Sequence, residues 1–250
     1  MSDVLRQHRH DHVLVLEMNR PERHHALNFE LGRALAEALD VAESAGDVRV
    51  VVLTGSGEKA FCAGQDMLEA SGVEPRDADA GKTSAYIAID RVRQARLPVI
   101  AAINGYCYGG GAALAIACDL RIAGNTATFR LPGAEYGLVV GAASLPRLVG
   151  AARAKELILT ARKFDAEDAF RWGLLNEVTE PAEVLDKALG LAQEIAGHSP
   201  VAVQESKRVI DMATLDAEAF EAEDEINLEL RGSEDQSARF RAATRRVTGR

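Results

Sequence analysis

The stretch NGYCYGGGAALAIAC, residues 104–118, directly follows the apolar run Val99–Ile103. The apolar run predicts a buried strand, and Gly109–Cys118 predicts a short, alanine-rich helix, with a glycine-rich turn between them. Glycine lets backbone approach a ligand closely, and the first amides of a helix have no partner within that helix. The positive end of the helix dipole lies at the same point.

A second turn of the same kind is FCAGQDM, residues 61–67, which comes after the predicted buried strand Val48–Leu53. If the amides of Gln65 and Gly110 converge, they form a hole for a developing oxyanion. The spacing alone leaves another interpretation open, in which both stretches are only structural turns, because glycine turns are common.

Around these stretches the chain changes character near residue 150. Apolar residues at helical spacing predict a helix over Phe29–Ala45 that ends at Gly46. Residues 71–85 are polar and predict a mobile loop. Further short strands are predicted at Val13–Met18, Leu120–Ala123 and Thr128–Leu131. Helices are predicted at Ala151–Leu159, Ala166–Trp172, Ala182–Ala196, Val201–Met212, Glu218–Arg231 and Gln236–Arg246.

The composition is that of a globular domain, with 47% hydrophobic and 27% charged residues in a chain of 250. Three cysteines are too few for a disulfide framework, so we expect a reducing, cytoplasmic compartment. Residues 1–12 contain no apolar run, so we expect no signal peptide. Residues 99–118 carry no charge, but their glycines and Asn104 favour a buried strand and helix over a membrane span.

The net charge of −9 argues against binding of nucleic acid. Seven acidic residues between Asp216 and Glu229 precede a basic stripe. We interpret this segment as a solvated helix pair, or as complementary faces of two subunits. The arginines of the stripe are Arg239, Arg241, Arg245, Arg246 and Arg250.

Two other patterns suggest ligands but are weak. Gly55–Ala60 formally fits the dinucleotide fingerprint G-x-G-x-x-A, yet Gly64 would interrupt the helix that this fingerprint requires. His8, His10 and His12 alternate and would share one face of a strand, as in a metal site. An exposed edge strand explains them equally, and we predict no metal site.

Four motifs together resemble the crotonase superfamily, the enoyl-CoA hydratases and isomerases. The resemblance runs from about Val13 to about Lys207, with the motifs in the family's order. They are NRPERHHALN (residues 19–28), FCAGQDM (61–67), NGYCYGGGAALAIACDLRIA (104–123) and ARKFDAEDAFRWGLLNEVTEP (161–181).

The resemblance implies an α/β fold, a crotonase-like spiral of β-β-α units over residues 1–195. A helical C-terminal region, residues 196–250, would mediate trimerisation and cover the active site. It implies that the amides of Gln65 and Gly110 polarise the carbonyl of an acyl-CoA thioester. No tightly bound cofactor is expected, because coenzyme A is part of the substrate, and homotrimers or hexamers are the expected assemblies. The residues implied to cradle coenzyme A are His25, Ala26, Leu27, Ala63, Asp66, Met67 and Leu68.

The sequence departs from the family at the positions that carry its proton chemistry. The two hydratase carboxylates match Ala113 and Gly133, and the aspartate of dehalogenases and dienoyl-CoA isomerases matches Gly141. Adding water to a C=C bond needs a base and an acid, which alanine and glycine cannot supply. Glu135 is the substitute acid/base that we predict. Other polar candidates are Gln65, Tyr108, Tyr136 and Ser144, and Asp66 is interpreted as a helix cap.

Three hypotheses follow from the sequence. The chain is an enzyme of enolate chemistry with an unusual acid/base, a non-catalytic acyl-CoA-binding or interaction subunit, or a nucleotide-binding domain that uses Gly55–Ala60.

Overall fold

The computed structural model describes residues 4–73 and 84–249. Among these residues, ten strands form two sheets, and helices cover the sheets and make up the C-terminal region. The strands are β1 Leu5–His10, β2 Val13–Met18, β3 Val50–Gly55, β4 Ala60–Cys62, β5 Val99–Ile103, β6 Tyr106–Tyr108, β7 Leu120–Gly124, β8 Thr128–Arg130, β9 Phe164–Asp165 and β10 Glu177–Thr179.

The α-helices of the described residues lie between and after the strands. They are α1 Phe29–Ala45, α2 Met67–Ala70, α3 Ser84–Arg93, α4 Gly110–Ala117, α5 Pro146–Val149, α6 Ala151–Thr160, α7 Ala166–Arg171, α8 Val184–Ala196, α9 Pro200–Thr214, α10 Ala217–Leu230 and α11 Glu234–Thr248. Short 3-10 turns occupy Pro21–Arg23, Ala134–Tyr136 and Pro181–Glu183.

From β3 to β8, consecutive strands alternate between the two sheets. The order β1-β2-β3-β5-β7-β10 forms the larger sheet, and β4-β6-β8-β9 forms the smaller one. Thus each of the pairs β3-β4, β5-β6 and β7-β8 gives its first strand to one sheet and its second to the other. Except for the antiparallel pairs at β1 and β9, the pairing is parallel. The predicted spiral of β-β-α units is confirmed.

The strands of the larger sheet read as apolar runs because both of their faces are buried. Every residue of β3 and β5 is buried, and α8 packs against both of them through Val184, Ala188 and Ala192. On the other face, α1 buries Leu31, Leu35 and Leu39. The core therefore extends across both faces of the sheet and holds the ends of β3 and β5 in place.

The predicted long elements agree with the structure to within about two residues. α1 has the predicted bounds, because the side chain of Asn28 caps it at Leu31 N (3.0 Å) and Gly46 ends it with φ 75°. β3 begins and ends two residues later than predicted. The prediction of a loop over residues 71–85 falls mostly outside the described residues, and its last two residues, from Ser84, begin α3.

The dinucleotide hypothesis for Gly55–Ala60 fails on geometry. After β3 these residues bend and enter β4, so no helix begins inside the motif. The side chain of Asn104 instead donates hydrogen bonds to the carbonyl oxygens of Gly55 (2.8 Å) and Gly57. The segment is a structural turn.

The N-terminal histidines lie at the edge of the larger sheet, where all of β1 except Leu5 is exposed. His8 Nε2 lies 3.1 Å from a carboxylate oxygen of Glu17, and the ring of His12 bonds to the carbonyl oxygen of Asp47 at 2.8 Å. In the described ranges, no three side chains of His, Cys, Asp or Glu are grouped as a metal site would require. The structure supports the interpretation of an exposed edge strand.

None of the helices in the described parts of the chain combines the length and apolar character needed to span a membrane.

Candidate active site

The two glycine-rich bends pack directly against each other. A Cβ on Gly64 would lie 3.0 Å from the amide nitrogen of Gly110, and a Cβ on Gly110 would lie 3.4 Å from the amide nitrogen of Gln65. Gly64 also has a φ of 101°, which residues with a side chain rarely adopt. At Gly111 a Cβ would overlap the carbonyl oxygen of Cys62. Glycine at these positions is therefore what allows the bends to meet.

The hydrogen bonds around the two bends do not use the amides of Gln65 and Gly110. Leu27 N donates to Gly64 O at 2.7 Å, and Asp66 N donates to Leu27 O at 3.0 Å, so the bridge at Leu27 does not use the amide of Gln65. Gly110 begins α4, where an amide has no acceptor within its helix. In residues 4–73 and 84–249, neither amide is a donor in the hydrogen bonds that the structure gives.

A first cavity of about 110 Å³ lies beside these amides. Gln65 and Gly110 line it, together with Ala113 and Ile116 of α4 and Glu223 of α10. Besides Glu223, two acidic residues and three arginines line this cavity, so its acidic and basic residues are equal in number. They are Asp90 and Arg93 of α3, Arg147 of α5, and Asp224 and Arg231 at or after α10.

A second cavity of about 360 Å³ borders the same two residues, since Gln65 and Gly110 line it as well. Ala63 and Met67, two of the predicted coenzyme A residues, are in its wall. The wall also carries aromatic rings and two cationic groups. These are His24, Tyr106, Tyr108, Tyr136 and Phe240, with Arg130 and Lys163.

Most of the other predicted coenzyme A residues are buried and do not line either cavity. His25 is 1% exposed, and both of its ring nitrogens are bonded within the protein, Nδ1 by the amide of Arg20 (3.0 Å) and Nε2 to Ser56 O (3.0 Å). Burial lowers the pKa of His25. Ala26, Leu27 and Leu68 are buried too. These side chains support the first bend, and their contact with coenzyme A stays a prediction.

Asp66 is a helix cap, as interpreted from the sequence. Its Oδ1 accepts hydrogen bonds from Leu68 N (3.1 Å) and Glu69 N (3.4 Å) at the start of α2. Its Oδ2 forms a buried ion pair with Arg20 Nη2 at 2.9 Å. The carboxylate is therefore committed to holding the bend that carries Gln65.

Glu135 lies apart from the paired amides. Among the described lining residues of the two cavities, Glu135 is absent, although its neighbour Tyr136 is present. Its carboxylate is paired with both Arg246 and Arg130. The hydrogen bond from Arg246 is the main cause that lowers the pKa of Glu135. A carboxylate held ionised between two guanidinium groups is a poor proton shuttle, and this geometry argues against the predicted acid/base role.

The three positions that the resemblance matches to the family's carboxylates line the cavities. Ala113 and Gly141 line the first cavity, and Gly133 lines the second. A Cβ on Gly133 would lie 2.9 Å from Leu138 O and 3.0 Å from a methyl carbon of Val140. The site thus has no room for a larger side chain at residue 133. Of the remaining candidates, Ser144 lines the first cavity and Tyr108 the second.

The sequence reasoning missed the contribution of α10. Glu223 and Asn227 reach the first cavity from this helix, one helical turn apart. Glu223 accepts hydrogen bonds from Gly141 N (2.8 Å) and Ala143 N (2.7 Å), and Asn227 pairs with both backbone groups of Val139. The sequence offered only a weak clue, since Asn227 follows Glu223 by four residues and would share its face of a helix.

Comparison with known proteins gives the family. A sequence model described as "Enoyl-CoA hydratase/isomerase" matches residues 8–245. The carnitinyl-CoA dehydratase of Salmonella enteritidis is 35% identical over 212 residues, which are 84% of this chain and 80% of the relative.

Two crystal structures have the same fold. An enoyl-CoA hydratase/isomerase from Pseudoalteromonas atlantica superposes with a TM-score of 0.88 at 30% identity and covers 97% of both chains. A carnitinyl-CoA hydratase from Mycobacterium avium gives a TM-score of 0.88 at 32% identity, with 100% of both chains covered. The chain therefore belongs to the enoyl-CoA hydratase/isomerase family, the crotonase superfamily.

Proposed function

We propose that this protein binds an acyl-CoA thioester and stabilises its enolate between the backbone amides of Gln65 and Gly110. The observation that carries the proposal is the contact of the two bends, which puts these amides side by side in the wall of both cavities. Two preorganised amides at a developing oxyanion act without reorganisation, and losing one such donor costs about 3 to 4 kcal/mol of transition-state stabilisation.

The two cavities suggest how the substrate would lie. The cationic groups of Arg130 and Lys163 in the second cavity fit the phosphates of coenzyme A, and the stacked rings of Tyr106 and Tyr108 offer a surface for its adenine. The thioester would then reach the paired amides with its acyl chain in the first cavity. Family membership and the coenzyme A thioesters in the relatives' names support a ligand of this class.

The reaction class is narrower than the family name. With Ala113 and Gly133 at the usual carboxylate positions, hydration by a base and an acid side chain has no support at these two residues. We therefore expect weak or no hydration of simple 2-enoyl-CoA thioesters. The alternative is a non-catalytic acyl-CoA-binding or interaction subunit, which the absence of both carboxylates favours.

The test measures binding and hydration separately. Isothermal titration should give tighter binding of butyryl-CoA than of its thioether analogue, which has no carbonyl oxygen, by about tenfold or more. Equal affinities would contradict the role of the two amides. A typical enzyme turns over about 10 times per second, and hydration of crotonyl-CoA at such a rate would contradict the argument from the missing carboxylates.

We further propose a homotrimer or hexamer in the cytoplasm. The helix α9 supports assembly, because several of its apolar side chains are largely exposed in the single chain. They are Val201 (71%), Val209 (56%), Ile210 (60%) and Met212 (72%). Three free, buried cysteines support the reducing compartment.

A further inference from the structure

A carboxylate from outside the family motifs lies in the wall of the first cavity. Glu223 belongs to α10, and its two oxygens accept one hydrogen bond each, Oε1 from Gly141 N (2.8 Å) and Oε2 from Ala143 N (2.7 Å). An ionised carboxylate has about four lone-pair sites, and the amides of residues 141–143 occupy at most three of them, so an acceptor position remains.

The cavity brings Glu223 to the same space as the paired amides. Gln65 and Gly110 line this cavity of about 110 Å³ together with Glu223. Ala113, which the family resemblance matches to a hydratase carboxylate, is a lining residue of the same cavity. The surroundings are largely apolar, with Ile116, Leu138 and Val140 in the wall. The cavity therefore holds a carboxylate from α10 in the same wall as Ala113 of α4.

The environment of Glu223 favours its protonated form more than water does. Burial is the main cause that raises the pKa of Glu223, and the amides of residues 141–143 and Arg93 act against it. A general base works best when its pKa approaches the working pH. The charged groups that share this cavity from α3, α5 and the α10 segment are Asp90, Arg93, Arg147, Asp224 and Arg231.

We propose that Glu223 is the catalytic base that removes, and returns, a proton at the Cα of the bound acyl thioester. In this step the carboxylate takes the Cα proton, and the electron pair of the C–H bond forms the Cα=C bond of the enolate. The carbonyl electron pair moves to the oxygen between the amides of Gln65 and Gly110. The protonated Glu223 then returns the proton to Cα, and no co-reactant is consumed.

With a 3-enoyl thioester, return of the same proton to Cγ would complete a 1,3 shift to the 2-enoyl isomer. One carboxylate is enough for this reaction, since no water has to be activated. The proposal rests on the proposed function, because it needs the thioester oxygen at the paired amides.

Glu223 also clamps the loop at residues 141–143, so the experiment must separate a chemical role from a structural one. Asn227 provides the matched control, because it clamps the same loop from the same helix through Val139 N (3.0 Å) and Val139 O. Asn227→Ala removes a clamp and no carboxylate. Glu223→Gln removes the base and keeps the size of the side chain, and Glu223→Asp keeps the charge but withdraws it by one methylene.

The measurement is deuterium uptake at Cα of butyryl-CoA in D2O, followed by mass spectrometry. This saturated substrate can neither be hydrated nor isomerised. We expect uptake with the parent protein and a loss of about 100-fold or more in Glu223→Gln. Butyryl-CoA should bind to both with dissociation constants within threefold. Glu223→Asp should retain partial uptake with an acidic limb in its pH profile, and Asn227→Ala should lose less than about tenfold.

The outcomes distinguish the two proposals. Uptake by Glu223→Gln within tenfold of the parent, or an equal loss in Asn227→Ala, would show that Glu223 is only a clamp. Binding without uptake by the parent protein would overturn the role of Glu223 and favour a non-catalytic acyl-CoA-binding subunit. If the parent protein does not bind butyryl-CoA, the proposed function itself fails.

Discussion

Arg20 and Asp66 form a buried ion pair, with 2.9 Å between Nη2 and Oδ2 and side-chain exposures of 11% and 3%. The pair connects the segment after β2 to the bend that carries Gln65. Arg20 also donates to the carbonyl oxygen of Ala26, so one guanidinium group holds two of the segments behind the site. The position of the Gln65 amide thus depends on a buried charge pair.

We predict that Asp66→Asn destabilises the fold by about 3 kcal/mol, because removing one partner leaves a buried charge uncompensated. Urea denaturation followed by circular dichroism measures this change. Glu205→Gln is the control, since Glu205 and Arg208 form an exposed pair on α9. The control should change the free energy of unfolding by less than about 1 kcal/mol. Equal stability of Asp66→Asn and the parent would contradict a structural role for the pair.

We predict that Gly110→Ala impairs enolate formation without unfolding the protein. The added Cβ would lie 3.1 Å from Ala85 Cβ and 3.4 Å from Gln65 N, so it would narrow the space at the paired amides. Deuterium uptake at Cα of butyryl-CoA should fall by about 100-fold. Uptake at the parent rate would show that the oxygen is held elsewhere.

Gly190→Ala is the matched control for that substitution. Gly190 lies within α8, and a Cβ there would meet no atom within 4 Å. The exchange rate should stay the same, and the free energy of unfolding should rise by about 1 kcal/mol, because alanine is the better helix former. A loss of uptake in this variant would mean that glycine-to-alanine changes act through general destabilisation.

We predict that Glu135→Gln keeps uptake within about twofold of the parent, because the Glu135 carboxylate is paired with Arg130 and Arg246 and Glu135 lines neither cavity. Its stability effect should depend on pH. The pKa of Glu135 is lowered from 4.5 in the folded state, chiefly by the hydrogen bond from Arg246. The ionised group therefore stabilises the fold above pH 4.5, and this contribution is lost as the pH falls through the lowered pKa.

Urea denaturation of the parent and Glu135→Gln at pH 7 and in acid measures this dependence. The difference in unfolding free energy should shrink in acid. A difference that grows in acid, or a large loss of uptake at pH 7, would restore Glu135 as an acid/base candidate.

We predict that the three cysteines do not react in the native protein. Cys62, Cys107 and Cys118 are buried, and burial raises the pKa of Cys62 and of Cys118 to about 12. Because the thiolate is the reactive form, a disulfide reagent at pH 8 should titrate no thiol in the folded protein and all three in guanidinium chloride. Rapid reaction of one thiol in the native state would show that its part of the core opens.

Much of the fold could be predicted because its long elements carry local patterns. The helix α1 has an apolar stripe, a capping Asn28 and a terminal Gly46, so its bounds followed from the sequence. The three-residue strands β4 and β6 could not be predicted this way. They form by pairing between successive β-β-α units, as in Cys62 with Cys107. Pairing between residues so distant in the sequence produces no local pattern of residue types.

The candidate site also has a part that could be predicted from local sequence and a part that could not. The two bends were recognisable since glycine is required where backbone segments touch, as at Gly64 and Gly111. The position of Glu223 was not predictable, because the acidic segment of α10 looks like a solvated helix until its packing on residues 139–143 is known. Glu135 was placed near the site by its sequence position, and its two arginine partners come from β8 and from α11.

The pairing of Gln65 with Gly110 has an evolutionary consequence. Backbone amides remain in place when the side chains around them are substituted. A lineage can therefore keep the amides that activate the thioester carbonyl while the residues that transfer protons change. In this protein the residue that transfers the proton would lie in the last quarter of the polypeptide. A mechanism assigned from the family's motifs would then be wrong for such a protein, or none would be assigned, even where its backbone superposes on a relative over nearly the whole chain.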